Sequence, residues 1–257
     1  GAVFVGLAAL STAALIVPAM AKALGFSFTG PSEPQSQLLN YLHRKEMLIL
    51  LDNIEHLLDG VDLLAELLAQ APAIKILVTS RERLHLPGEW VFDLQGLPVP
   101  PSSHLPGGAE QFTAYSSIAL FVLCARRVQT GFALSPSNQA DVARICRLAG
   151  GMPLGIELAA AWVHVLSCAE IAQEIEQNLD FLAIARRDLP DRHRSLRAAF
   201  DHSWKLLTRA EQQLFSRLSV FRGGFTREAA QAVAAATLPL LSSLVTKSLV
   251  RRQEERR

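Results

Sequence analysis

Short apolar runs alternate with stretches whose apolar residues recur every three or four positions through roughly the first hundred residues. Residues 2–8 are rich in Val, Phe and Leu and read as a buried strand. Residues 12–24 read as a helix that Ser11 or Thr12 can cap. A Gly/Pro/Ser loop covers 26–34, and 36–44 form a short helix. Met47 opens a continuous apolar run that ends at Asp52. Leu57, Leu58, Leu64, Leu67 and Leu68 then mark residues 55–70 as one helix, which Ala71 and Pro72 break. A third apolar run over 74–78 leads into Thr79, Ser80 and Arg81, and 90–94 read as a last short strand. This order predicts an α/β fold with a mostly parallel sheet.

The texture then changes. Residues 97–108 are rich in Pro and Gly and read as a linker. Helical patterning follows over 117–130 and 137–149, with Ser135 and Pro136 as a start signal. Gly150, Gly151, Met152 and Pro153 make a sharp break, and Pro153 suits the first turn of a helix to about residue 165. Ser167 caps a helix over 169–179. A further block carries a helix over 196–207 and a Thr208/Glu211 capping box before 209–218. Gly223 and Gly224 make a turn, Thr226 caps 227–236, 240–244 read as helical and 248–252 as a strand. Three helices and a strand are the outline of a winged helix. The expected organisation is an α/β part over 1–96, a linker over 97–110, a helical domain over 111–187 and a winged-helix domain over 188–257.

Composition narrows the function classes. Of the 257 residues 50% are hydrophobic and 19% charged, which suits a packed core and excludes disorder. The net charge of +1 gives no global field for nucleic acid or an acidic membrane. Basic clusters at 186–187, 192–194 and 251–257 read as solvated surface, with a nucleic-acid role as the alternative. Cys124, Cys146 and Cys168 are far apart and form no CxxC, so they read as reduced, buried thiols of a cytoplasmic protein. The seven histidines form no metal-binding spacing. The first twenty-one residues carry no charged side chain and are long enough to span a bilayer. They lack a basic n-region, and Pro18 and Gly25 interrupt the run, which favours strand plus helix. The chain opens on this strand without a methionine, and is therefore expected to be an N-terminally truncated fragment.

Three places can carry chemistry. Asp52 ends an apolar strand, at the sheet edge where open α/β folds bind ligands; alternatively it caps the next helix, as Asn53 also could. Arg81 follows the next strand, and its planar fork suits a terminal phosphate; alternatively it pairs with Glu82 or Glu55 at the surface. Met152, Pro153 and Leu154 open a helix with a flat apolar surface that can pack on a base, or make an ordinary helix–helix turn.

Taken in order, these motifs resemble the NB-ARC type of STAND P-loop ATPases. LILLDNIEHLLD is similar to that family's Walker B strand and following helix, KILVTSRERL to its sensor strand and GGMPLGIELAAAWV to its GLPL motif. RHRSLRAAFDHSWKLLTRAEQQLFSRLSVFRGGFTREAA is similar to the winged-helix segment of bacterial members fused to LuxR-type or cyclase regulators. The resemblance covers nearly the whole chain. It implies an incomplete parallel P-loop NTPase sheet, then an all-α part made of a helical and a winged-helix domain. It implies Asp52 as the magnesium residue, Arg81 as the γ-phosphate sensor, and Met152, Pro153 and Leu154 against adenine. Asn53 stands where many relatives carry a second acid; an amide cannot take a proton from water, so slow hydrolysis is implied.

Two features depart from the family pattern. No G-x-x-x-x-G-K-[ST] loop occurs in the sequence. The chain alone is therefore expected to be catalytically inactive, to bind ADP or ATP poorly, and to carry an unpaired, aggregation-prone sheet edge. LVTKSLV stands where a Met-His-Asp triplet would lie, so no phosphate-contacting histidine is implied. The implied cofactors are ADP or ATP with Mg in the intact parent. The implied behaviour is a cytoplasmic signalling switch that self-associates on activation, with no membrane partner and DNA reached only through attached output domains. The alternatives are a DNA-binding winged-helix regulator acting through 195–252 and a scaffold that has lost nucleotide. Against the former, the stretch 227–236 carries Arg227 as its one cation.

Overall fold

The computed structural model describes residues 1–101, 109–178, 181–182, 196–221 and 224–252. The chain divides into two compact units, Gly1–Phe92 with Thr208–Arg257, and Asp93–Leu207.

The first unit is built on three parallel strands, β1 (Ala2–Gly6), β2 (Met47–Asp52) and β3 (Ile74–Thr79), with β2 in the centre. Val5 pairs with Leu51 and Leu51 with Val78, which sets Gly6, Asp52 and Thr79 side by side at the C-terminal edge. The helices α1 (Ile16–Leu24), α2 (Pro34–His43) and α3 (Asp62–Gln70) connect the strands. α1 buries Ile16, Val17, Met20 and Ala21 and stops at Gly25, whose left-handed backbone lets its N–H close onto Ala21 and Lys22. Val5, Leu7, Ile49, Leu51 and Ile74 from the sheet meet Leu38, Leu42, Leu64 and Leu67 from the helices in one core. Each such side chain contributes about 1.5–3 kcal/mol on leaving water.

The second unit is helical, with α4 (Ala109–Thr113), α5 (Ser116–Val128), α6 (Gln139–Leu148), α7 (Pro153–Ala160), α8 (Cys168–Gln177) and α9 (Leu196–Lys205). Phe112, Ile118, Phe121, Val142, Ile145, Ile156 and Ile171 form its core. Ser167 and Glu170 make the reciprocal capping box of α8. All three cysteines are buried and unbridged. Burial pushes the Cys146 thiol up to about 12 and the Cys168 thiol up to about 11, so neither is a reactive thiolate at neutral pH.

The chain returns to the first unit as α10 (Arg209–Leu218), α11 (Arg227–Ala234) and α12 (Leu238–Thr246). Thr208 and Glu211 form the capping box that the sequence predicts, and the Thr226 hydroxyl caps α11. The buried residues of this trio are few: Leu214, Leu218, Ala230, Ala234, Leu244 and the carboxylate Glu211. Among the described residues no single helix is long and apolar enough to cross a membrane. The uncharged opening run forms β1 and α1 instead.

Several boundaries differ from the sequence reading. α1 begins at Ile16 after a short 3-10 turn, Ala13–Leu15, and Thr12 makes no side-chain cap. α2 starts at Pro34, where proline's missing N–H costs nothing. Residues 55–70 are a loop, a 3-10 turn (Leu58–Gly60) and α3 rather than one helix. Residues 90–94 form no strand: Trp90, Phe92 and Leu94 are exposed and no ladder partner holds them. Residues 248–252 form no strand either, because Ser248 has φ 58 and turns the chain out of extended geometry. The turn read at Gly223 and the basic positions 186–187, 192–194 and 253–257 lie outside the described residues.

Candidate functional site

β2 delivers Asp52, half-buried, to the sheet edge, and β3 delivers Thr79 beside it. The Thr79 hydroxyl donates to Asp52 Oδ1 at 2.6 Å and accepts from the Asn53 backbone N–H at 2.9 Å. Asn53 lies in the left-handed region at φ 69, a conformation that asparagine tolerates better than most residues. That turn lets the N–H groups of Asn53 and Ile54 both reach the Thr79 carbonyl at 3.2 Å. The Asn53 amide nitrogen contacts His56 Nδ1 at 3.3 Å, and His56 Nε2 contacts the Leu10 carbonyl at 3.0 Å. The carbonyl accepts only, so Nε2 carries the proton and Nδ1 accepts from the amide. Asn53 is thus a bracing residue between β2 and the loop after β1.

Arg81 is engaged by Glu55. Its Nε lies 3.3 Å from Glu55 Oε1, and the Glu55 side chain is only 2% exposed against 32% for Arg81. The pairing with Glu55 that the sequence allowed is the one formed, but with a buried carboxylate. Burying a charge this deeply demands a partner, so Arg81 is held as strongly by Glu55's need as by its own. The loop after β3 continues with the Glu82 N–H donating to the Ser80 hydroxyl at 3.1 Å. Burial pushes the Glu82 carboxyl above the usual carboxylate range, while Lys247 nearby pulls it down.

Lys247 sits 3.0 Å from Glu211 Oε2 and 4.0 Å from Glu82 Oε1. Glu211 also accepts from the Ser243 hydroxyl and from the Thr208 N–H. Burial pushes its carboxyl up, but the bonds from Ser243, Thr208 and Lys247 outweigh that and hold it down at about 2. The Ser248 hydroxyl donates to the Arg81 carbonyl at 3.1 Å.

Met152, Pro153 and Leu154 belong to the second unit. Met152 and Pro153 are exposed, Leu154 is half-buried, and Pro153 opens α7. Gly151 has φ 68, and an added Cβ there would stand 2.3 Å from the Leu97 carbonyl. That close approach lets the Leu97 N–H reach the Gly151 carbonyl at 2.8 Å. Residues 97–100 lie along the helices, with Ser117 Oγ donating to the Pro98 carbonyl at 2.7 Å and Arg147 Nη1 to Pro100 at 3.2 Å.

Asp52, Asn53 and Arg81 therefore share one sheet edge. Asp52 and Thr79 offer hard oxygen donors, the kind Mg prefers. No cluster of three His, Cys, Asp or Glu side chains that could hold a metal occurs among the described residues. The edge thus offers two oxygen-bearing side chains, fewer than the six oxygens that Mg takes. Glu211, Lys247 and Ser248 escaped the sequence reading as site residues, and Glu55 and Glu82 entered it only as surface partners of Arg81. Their signal is complementarity across 26 to 167 positions of chain, which no local pattern carries.

No protein-family model matches the chain. It is 36% identical over 258 residues to "Putative HTH-type transcriptional regulator Rv0890c" of Mycobacterium tuberculosis, a match covering 97% of this chain and 28% of that protein. It is 34% identical over 240 residues to "Uncharacterized protein Rv0894" of the same species, covering 90% of this chain and 58% of that protein. The chain thus spans less than two thirds of the length of either relative.

Proposed function

We propose that this chain is the switch segment of a larger transcriptional regulator, controlled by ADP and ATP in the manner of STAND ATPases. In this reading β1–β3 belong to a P-loop NTPase sheet and residues 188–257 to a winged-helix domain. The observation that carries it is the juxtaposition of Asp52 and Arg81 beyond the C-terminal ends of two adjacent parallel strands. The name of the first relative, an HTH-type regulator, supports a regulatory setting.

Each residue then has a task. Asp52, oriented by Thr79, would hold Mg, whose bound form supplies charge neutralisation at nucleotide phosphates. Arg81 would read the terminal phosphate while Glu55 keeps its guanidinium in place. Asn53 spends its amide on His56 and has no carboxylate to activate water, which fits slow turnover. Met152, Pro153 and Leu154 keep only the base-packing role that the family resemblance implies. Binding energy that differs between the ADP and ATP states would drive opening and self-association.

The test is nucleotide titration of the intact regulator with Mg, followed by its oligomeric state. Asp52→Ala and Arg81→Met should each change the response to ATP. Unchanged response in both variants sinks the reading. Salt-dependent DNA binding by residues 195–252 alone would favour the winged-helix DNA reader instead.

A further inference from the structure

The end of α12 carries an anomaly. The Ser248 N–H reaches the Val245 carbonyl and the Leu249 N–H reaches the Leu244 carbonyl, which is the Schellman closure of a helix. The residue at the left-handed position of that motif is normally glycine. At the end of α6 it is: Gly150 has φ 61, with the N–H of Gly150 and of Gly151 closing onto Arg147 and Cys146. At the end of α12 it is Ser248, with φ 58. A side chain in this conformation carries a backbone strain that glycine would not. The Ser248 hydroxyl offsets that strain by donating to the backbone carbonyl of Arg81, 167 residues away.

Its neighbour Lys247 works alongside. The ammonium lies between Glu211 at the start of α10 and Glu82, the residue after Arg81. All three of these charged side chains are at most 16% exposed. The Arg81–Glu82 segment is therefore gripped twice from the end of α12, once through a carbonyl and once through a carboxylate.

We propose that Lys247 and Ser248 are positioning residues that couple the loop carrying Arg81 to α10–α12. A displacement of Arg81 would be passed to the end of α12 through these two contacts, and the reverse. This deepens the switch reading above and rests on it for its purpose, but the coupling itself needs no nucleotide.

Hydrogen exchange on this chain tests it without any ligand. Lys247→Met keeps the aliphatic stem and removes the charge. It should speed exchange about tenfold both at residues 80–83 and along α10 and α12, leaving β1 and β2 unchanged. Lys247→Arg should restore protection in both places. Ser248→Gly relieves the backbone and removes the hydroxyl. Coupling predicts faster exchange at Arg81 and Glu82 even as the end of α12 tightens. A rise confined to α10–α12 in Lys247→Met, or a tighter α12 with an unaltered 80–83 loop in Ser248→Gly, would overturn the proposal. Far-UV circular dichroism confirms that each variant is folded. If the exchange result holds and the intact regulator ignores nucleotide, the switch reading fails while the coupling stands.

Discussion

The body of the sheet and its C-terminal edge are held by different physics. In the body, Val5, Ile49, Leu51 and Ile74 are at most 3% exposed and pack against three helices. That attraction is non-directional and proportional to area. At the edge, Glu55 faces Arg81, and Lys247 faces Glu82 and Glu211. Those contacts are directional, few, and each is costly to break singly. The apolar body can only be folded or unfolded. The charged edge is held by a few pairwise contacts, the kind that a two-state switch exchanges.

Substitutions sharpen the contrast, starting with the largest effect. Ile49→Ala should cost about 2–5 kcal/mol in denaturant unfolding, because a fully buried branched side chain leaves a cavity. Arg81→Met should cost about 3 kcal/mol by orphaning the Glu55 carboxylate, and adding Glu55→Leu should recover most of it. An uncompensated loss in the double variant would mean that the edge is held by shape rather than by charge.

Acid should loosen the edge before the body. The Glu211 carboxyl is held at about 2 against an ordinary 4.5, so it contributes stability above the ordinary value that is lost as pH falls toward 2. The loss should amount to about 2–3 kcal/mol, localised to α10–α12 by hydrogen exchange, and absent in Glu211→Gln. Glu82, with its carboxyl raised by burial, works in the opposite direction: it destabilises when charged and is relieved by protonation, which shallows the slope. The smallest effect on stability is expected at Leu77, which is 51% exposed on the face the helices leave bare. Leu77→Ser should shift unfolding by under about 1 kcal/mol while lowering self-association in light scattering.

That bare face also marks where local reading stopped. Phe4, Leu50 and Leu77 stand in register across it, with Phe4 61% exposed. The apolar runs of β1 and β2 read as strands buried on both sides, yet helices cover one side among the described residues. Residues 90–94 have strand-like composition and no strand to pair with. A strand exists only when another backbone answers its hydrogen bonds, and composition cannot supply that partner.

The sequence by itself determined the three parallel strands, the helices between them, the Ser167 cap and the Thr208 capping box, and the arrival of Asp52 at a sheet edge. These follow from periodicity and from hydrogen bonds spanning three or four residues. Only the tertiary structure decided that Arg81 answers a buried Glu55, that Lys247 lies between Glu82 and Glu211, and that Ser248 stands where glycine belongs. Those pairings join residues from distant parts of the chain, and the free energy that selects them is released only when the low-dielectric interior brings the charges together.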